Sequence, residues 1–92
     1  MPHLIGPNSK SITLQTGKTV IGRDGVQCQI RLALPFISRL QAVIEVRPSG
    51  ETAIKNLSGR ESTFVNELPV GVSLLKDGDR VRFSIGEAVV FV

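Results

Sequence analysis

Apolar residues in this chain fall at every second position, in short runs closed by Gly, Pro or Asx. No stretch repeats them at helical spacing over a useful length. Alternation at period two sets one side of an extended segment against a core and the other in water, so short strands are what such a chain can form. The clearest run is Gln41 to Arg47, where Ala42, Ile44 and Val46 are expected to face inward and Gln41, Glu45 and Arg47 outward. Gln29 to Leu34 alternates equally well, with Ile30, Leu32 and Leu34 on one face, until Pro35 stops it.

Further strands are expected at Ser11 to Thr16, with Ile12 and Leu14 on one face, at Thr19-Val20-Ile21, at Thr52 to Leu57 and at Thr63-Phe64-Val65. Turns are expected at Gly17-Lys18, Pro48-Ser49-Gly50 and Asn66-Glu67, the last before Leu68-Pro69-Val70. Asp77-Gly78-Asp79 opens a final hairpin of Arg80 to Ile85 and Ala88 to Val92, joined at Gly86-Glu87. Many short strands at regular spacing in 92 residues read as one all-β domain. A two-sheet sandwich fits better than a closed barrel. The chain ends on the apolar Val89-Val90-Phe91-Val92, which suggests a domain cut from a larger protein.

Composition narrows the function. The one cysteine, Cys28, excludes an intrachain disulfide and favours a reducing, intracellular setting. No run approaches the roughly 18 apolar residues of a membrane helix, and the first residues do not read as a signal peptide. With neither Trp nor Tyr, an aromatic cage, a groove for proline-rich peptides and a stacking platform for bases are all disfavoured. The net charge of +3 is spread over interleaved signs, which also disfavours nucleic acid. His3 is the only histidine, so Ser38 has no obvious base, and Cys28 with one histidine makes no metal site. No enzyme activity, cofactor or metal is expected.

The polar residues that remain lie between strands. Ser38-Arg39 follows Leu34-Pro35-Phe36-Ile37 and precedes an apolar strand, so it stands on a loop held by a rigid edge. A hydroxyl gives one short donor, and a guanidinium gives a planar fork suited to an oxyanion such as phosphate. Gly22-Arg23 ends an earlier strand. Asn56-Leu57-Ser58-Gly59-Arg60-Glu61-Ser62-Thr63-Phe64-Val65-Asn66 follows a later hairpin. Arg31, Arg47, Arg80 and Arg82 read as solvated charges, and Asn56 and Asn66 as turn residues.

Gly-Arg, then Ser-Arg, then this longer loop resembles, in order and spacing, a forkhead-associated (FHA) domain. That family's pattern is Gly-Arg, Ser-x-x-His, and a loop ending Asn-Gly-Thr-x-Val-Asn. The stretch Leu75 to Phe83 is similar to its penultimate strand, and the likeness runs from about Lys18 to Val92. The resemblance implies a sandwich of about ten to eleven strands that binds phosphothreonine segments of protein partners through loops at one end. By position, Arg23 would brace the phosphate, Ser38 would donate its hydroxyl, and Arg39 and Arg60 would add charge. Gly22, Gln41, Thr63 and Asn66 would be structural positions of the motif. Leu34-Pro35-Phe36-Ile37-Ser38 is similar to the FHA domains of nuclear DNA-damage mediators, which implies a nuclear signalling setting.

Two departures bear on binding. The family's His is Gln41 here, and an amide can make comparable bonds. The family's Asn-Gly is Glu61-Ser62, so a carboxylate stands where the Asn usually bonds peptide backbone. A charge-assisted hydrogen bond contributes about 1.5–3 kcal/mol and a lost neutral one costs about 1 kcal/mol. A micromolar complex needs about 8 kcal/mol. The expectation is weakened binding rather than none. The alternative is a degenerate member that dimerises or scaffolds, without phosphate, through a sheet face or its terminal strand.

Overall fold

The computed structural model describes residues 2–6, 10–86 and 88–92. The described residues form strands β1 (His3–Ile5), β2 (Ser11–Thr13), β3 (Gly17–Gly22), β4 (Ile30–Arg31), β5 (Ala42–Val46) and β6 (Thr52–Asn56). They continue with β7 (Thr63–Val65), β8 (Leu68–Pro69), β9 (Val72–Leu75), β10 (Arg80–Phe83) and β11 (Val89–Phe91). A six-stranded sheet runs β2-β1-β11-β10-β7-β8, and a five-stranded sheet runs β4-β3-β5-β6-β9. The all-β sandwich expected from alternation is what forms. All pairs are antiparallel except β3 with β4.

Inward positions of both sheets make the core. Ala42, Ile44, Ile54 and Val81 have no exposed surface, and Leu4, Leu14, Ile21, Ile37, Val46, Val65, Leu75, Phe83 and Phe91 pack around them. Burying one such aliphatic side chain contributes about 1.5–3 kcal/mol.

The registers decide where the loops go. Ile21 on β3 faces Ala42 on β5, and Ala42 faces Asn56 on β6. The exits of β3 and β6 therefore lie beside the entry of β5. In the other sheet Thr63 at the start of β7 faces Phe83 at the end of β10. The loops 23–29, 32–41 and 57–62 thus gather at one end. Ser84 N–H donates to the Ser62 carbonyl at 2.7 Å and extends the β7–β10 pairing to that end, while Gln41, before β5, bonds Ser62 and Thr63 across the two sheets.

Several expectations change. Gln41 is fully buried, not outward, because its side chain bonds across the loops. The run Gln29 to Leu34 shrinks to Ile30–Arg31. Leu32 N–H bonds the Gly22 carbonyl, after which the chain turns and leaves Leu34 exposed. β2 stops at Thr13, so Leu14 is buried while Ile12 stays 43% exposed on an edge strand. Gly17-Lys18 begins β3 rather than forming a turn, with Gly17 at φ 109°. Arg80 to Ile85 ends at Phe83, where Ser84 takes φ 55°. Of the joint Gly86-Glu87, Glu87 lies outside the described residues. The terminal strand β11 is paired on both sides, by β1 and β10, so it offers no open edge.

Candidate functional site

Main-chain bonds and one tight contact hold the Gly22-Arg23 corner against Ser38-Arg39. Arg23 N–H donates to the Ser38 carbonyl at 3.0 Å, and Asp24 N–H to the Arg39 carbonyl at 3.1 Å. A Cβ on Gly22 would stand 2.2 Å from the Arg39 carbonyl oxygen, so only glycine permits this approach. The buried Cys28 thiol donates to that same oxygen at 3.4 Å. Burial, then the Asp24 charge, pushes the Cys28 thiol up, so it stays a neutral donor.

Asp24 closes the corner. Its carboxylate accepts Val26 N–H at 2.9 Å and the Gln27 amide at 3.1 Å. The Val26 bond is the main reason its acidity is strengthened, with Gln27 and Arg39 adding to it against partial desolvation. The Arg39 guanidinium lies 4.0 Å from Asp24 and its side chain is 76% exposed. That pair orients Arg39 weakly and leaves its donors facing solvent. Arg23 reaches back to the Pro35 carbonyl at 3.5 Å.

Arg31 is exposed, as a solvated charge should be, and also joins this corner. Parallel pairing sets Arg31 opposite Gly22, and its Nε donates to the Arg23 carbonyl at 3.2 Å. Its aliphatic stem lies over Gly25, where an added Cβ would come within 3.0 Å of Cδ. Nothing in the alternation of Gln29 to Leu34 marks Arg31, because the parallel register that recruits it is non-local.

Gln41 joins the second loop to the third. Its Oε1 accepts Ser38 N–H at 3.1 Å. Its Nε2 donates to Ser62 Oγ at 2.9 Å and Thr63 Oγ1 at 3.2 Å. Its own N–H donates to the Ile21 carbonyl, and its carbonyl accepts Leu57 N–H. An amide serves because it accepts toward one loop and donates toward the other. Asn56 shapes the third loop from within: Nδ2 donates to the Arg60 carbonyl at 2.6 Å, while Oδ1 accepts Ser58 Oγ at 2.8 Å and Thr63 Oγ1 at 2.9 Å. Ser58 Oγ lies 2.7 Å from Ser62 Oγ.

The expected residues therefore separate. Arg23, Ser38 and Arg39 come together, with Arg31 added. Ser62 turns inward, its hydroxyl taken up by Gln41 and Ser58, so it braces the loop rather than facing a ligand. Thr63 is buried in the same network. Arg60 and Glu61 are exposed and border a separate hollow of about 300 Å³ with Gly59, Pro69 and Val70. The Arg60 main chain bonds Asn56 and Ser58, and no contact carries its guanidinium to Ser38 or Arg39. Asn66 stands at the opposite end, at φ 51° in the turn after β7, where it bonds Asp79 and Arg80 N–H. Ser58 and Arg31 are the residues that sequence reasoning missed. Among the described residues no cluster of three His, Cys, Asp or Glu is placed to hold a metal.

Comparison with known proteins places the family and the fold. The family model for the FHA domain matches residues 19–84. The chain belongs to the FHA family. A curated relative, the FHA domain-containing protein FhaA of Mycobacterium tuberculosis, is 33% identical over 84 residues. That alignment takes in 90% of this chain but only 15% of the relative's length. Among solved structures, the FhaA FHA domain complexed with the intracellular domain of Rv3910 superposes at a TM-score of 0.83 and 25% identity, over 99% of this chain and 97% of that one. The MEK1 FHA domain in complex with a HOP1 phosphothreonine peptide gives 0.81 and 25%, over 99% and 94%. FHA domains are interaction modules, and the sandwich fold is common to these structures. No helix among the described residues is long and apolar enough to cross a membrane.

Proposed function

We propose that this FHA domain binds phosphothreonine-containing segments of partner proteins and so recruits them in signalling. The observation that carries the reading is the junction of Arg23, Ser38 and Arg39, held in place by Gly22 and Gln41. A hydroxyl and a solvent-facing guanidinium on adjacent residues, with the exposed Arg23 bonded beside them, suit a phosphate dianion. Family membership supports the same chemistry, as does the likeness to a domain whose complex contains a phosphothreonine peptide. Arg60 and Glu61 act on the peptide beyond the phosphate, across the neighbouring hollow. A nuclear or DNA-damage setting gains nothing from a mycobacterial relative. Catalysis has no support, since His3 sits beside Thr13 and Val92, away from Ser38.

The test is substitution at the junction. Ser38→Ala and Arg39→Ala are expected each to abolish measurable binding of a phosphothreonine peptide while the circular dichroism spectrum and melting temperature stay close to the parent. Wild-type affinity in either variant would refute the assignment.

A further inference from the structure

A different part of the molecule carries an inference independent of the phosphate site. β9 is the last strand of the five-stranded sheet, with β6 on one side only. Asn56 N–H donates to the Gly71 carbonyl, and Gly71 immediately precedes β9. Antiparallel bonding alternates, so Ser73 and Leu75 turn their main-chain groups toward β6 while Val72 and Leu74 turn theirs outward. Among the described residues, neither the N–H of Val72 or Leu74 nor the carbonyl of Val72 has a partner, and the Leu74 carbonyl accepts only Ser73 Oγ, at 3.0 Å.

Open edges are normally guarded by charge, proline or brevity. β8 has Pro69, and β4 is two residues long with Arg31. β9 reads Val-Ser-Leu-Leu, with neither charge nor proline. The side chains of its two outward-bonding residues are also the exposed ones, Val72 at 69% and Leu74 at 55%. On the same outer face Leu74 lies beside Ala53 and Val72 beside Lys55 of β6, so the exposed apolar pair stands at the edge itself.

We infer that β9 is a self-association edge, pairing antiparallel with β9 of a second copy about a two-fold axis through Ser73. The occupant follows from self-complementarity. With Ser73 opposite its counterpart, Val72 N–H of one copy meets the Leu74 carbonyl of the other, and Leu74 N–H meets the Val72 carbonyl. Each exposed Val72 then lies beside a Leu74, a favourable cross-strand apolar pair. Val70 faces Lys76, so no like charges are opposed. A two-fold perpendicular to the sheet makes one continuous sheet from both copies and points the two phosphate junctions in opposite directions. Such a dimer bridges two separate phosphorylated partners and cannot clamp one short doubly phosphorylated peptide.

An interface this small is weak, with a dissociation constant on the order of 10⁻⁴ M. Sedimentation velocity from about 10 µM to 1 mM therefore brackets the transition. The expected result is an average mass rising toward twice that of the chain, lost in Leu74→Lys and in Val72→Pro. The proline removes an outward N–H but no bond to β6. In Ser73→Cys, the two-fold sets the introduced thiols opposite one another at a non-hydrogen-bonded pair, so mild oxidation is expected to give a disulfide dimer far faster than a Ser49→Cys control. A monomer throughout the concentration range, or cross-linking in Ser73→Cys no faster than in the control, overturns the proposal. Phosphopeptide affinity of the folded Leu74→Lys monomer is expected to equal that of the parent, so the two readings fail separately.

Discussion

At the scale of single residues, Gln41 determines whether the loops meet. It has no exposed surface, and among the described residues its amide is the only side chain to bond both Ser38 and Ser62. Gln41→Leu keeps the volume but leaves Ser38 N–H and the Ser62 and Thr63 hydroxyls without it. The Ser62 and Thr63 hydroxyls keep Ser58 and Asn56, but Ser38 N–H is orphaned, and one such group costs about 1–3 kcal/mol. The expected outcome is a melting temperature lower by several degrees and peptide binding weakened at least tenfold. Gln41→His, the residue usual in the family, is expected to keep most of both, since an imidazole also accepts with one nitrogen and donates with the other.

Glu61 is the residue where this chain departs most from the family's loop, and it is exposed beside the hollow it borders with Arg60. An ionised carboxylate accepts only, whereas an asparagine both donates and accepts. Glu61→Asn is therefore expected to tighten a phosphothreonine peptide several-fold, by about 1 kcal/mol, and to steepen the salt dependence of binding, because the arginine attraction is no longer partly offset. Unchanged affinity would show that position 61 does not reach the peptide.

At the scale of elements, what the sequence discloses depends on whether a strand's contacts are local. Ala42, Ile44 and Val46 alternate cleanly because β5 has the core on one face and solvent on the other. Asn66-Glu67 was equally legible, and both residues do take positive φ, 51° and 68°, as a tight hairpin turn requires. β1 has only three residues and no alternation to read. β9 escaped because it puts Val72 and Leu74 on the exposed face, against the usual sense. At the candidate site, Arg23, Ser38 and Arg39 were visible as motif residues. Arg31 and Ser58 were not, since a parallel register and a hydroxyl–hydroxyl contact bring them in.

The far end of the sandwich is pinned by Asp79, which accepts Lys76 N–H at 2.8 Å and the Asn66 amide at 3.0 Å. The Lys76 bond first, then Asn66, holds its carboxyl below the ordinary carboxylate range, as Val26 does for Asp24. A carboxyl more acidic in the folded state than in the unfolded chain stabilises the fold above its unfolded pKa, and that contribution fades as pH falls toward the folded value. Stability is expected to be flat from about pH 7 to 5 and to decline below about pH 4. Asp79→Asn should be less stable at neutral pH and show a shallower acid limb. The check is the denaturation midpoint measured across that range; an unchanged acid limb would exclude Asp79 from it.

At the scale of the whole molecule, two sheets form a rigid frame and the chemistry is carried by loops at one end. The frame fixes Gly22, Ser38 with Gln41, and Ser62 within hydrogen-bonding or contact distance across three separate stretches of chain. Binding then needs little rearrangement, which lowers its entropic cost. The central claim is that this preorganised junction reads a phosphorylated threonine. Calorimetric titration of one peptide in phosphothreonine, phosphoserine and unmodified forms tests it most directly. Loss of two charge-assisted bonds predicts the unmodified form at least about 100-fold weaker. One buried methyl predicts phosphoserine about fourfold weaker than phosphothreonine. Equal affinity for all three peptides would contradict the account.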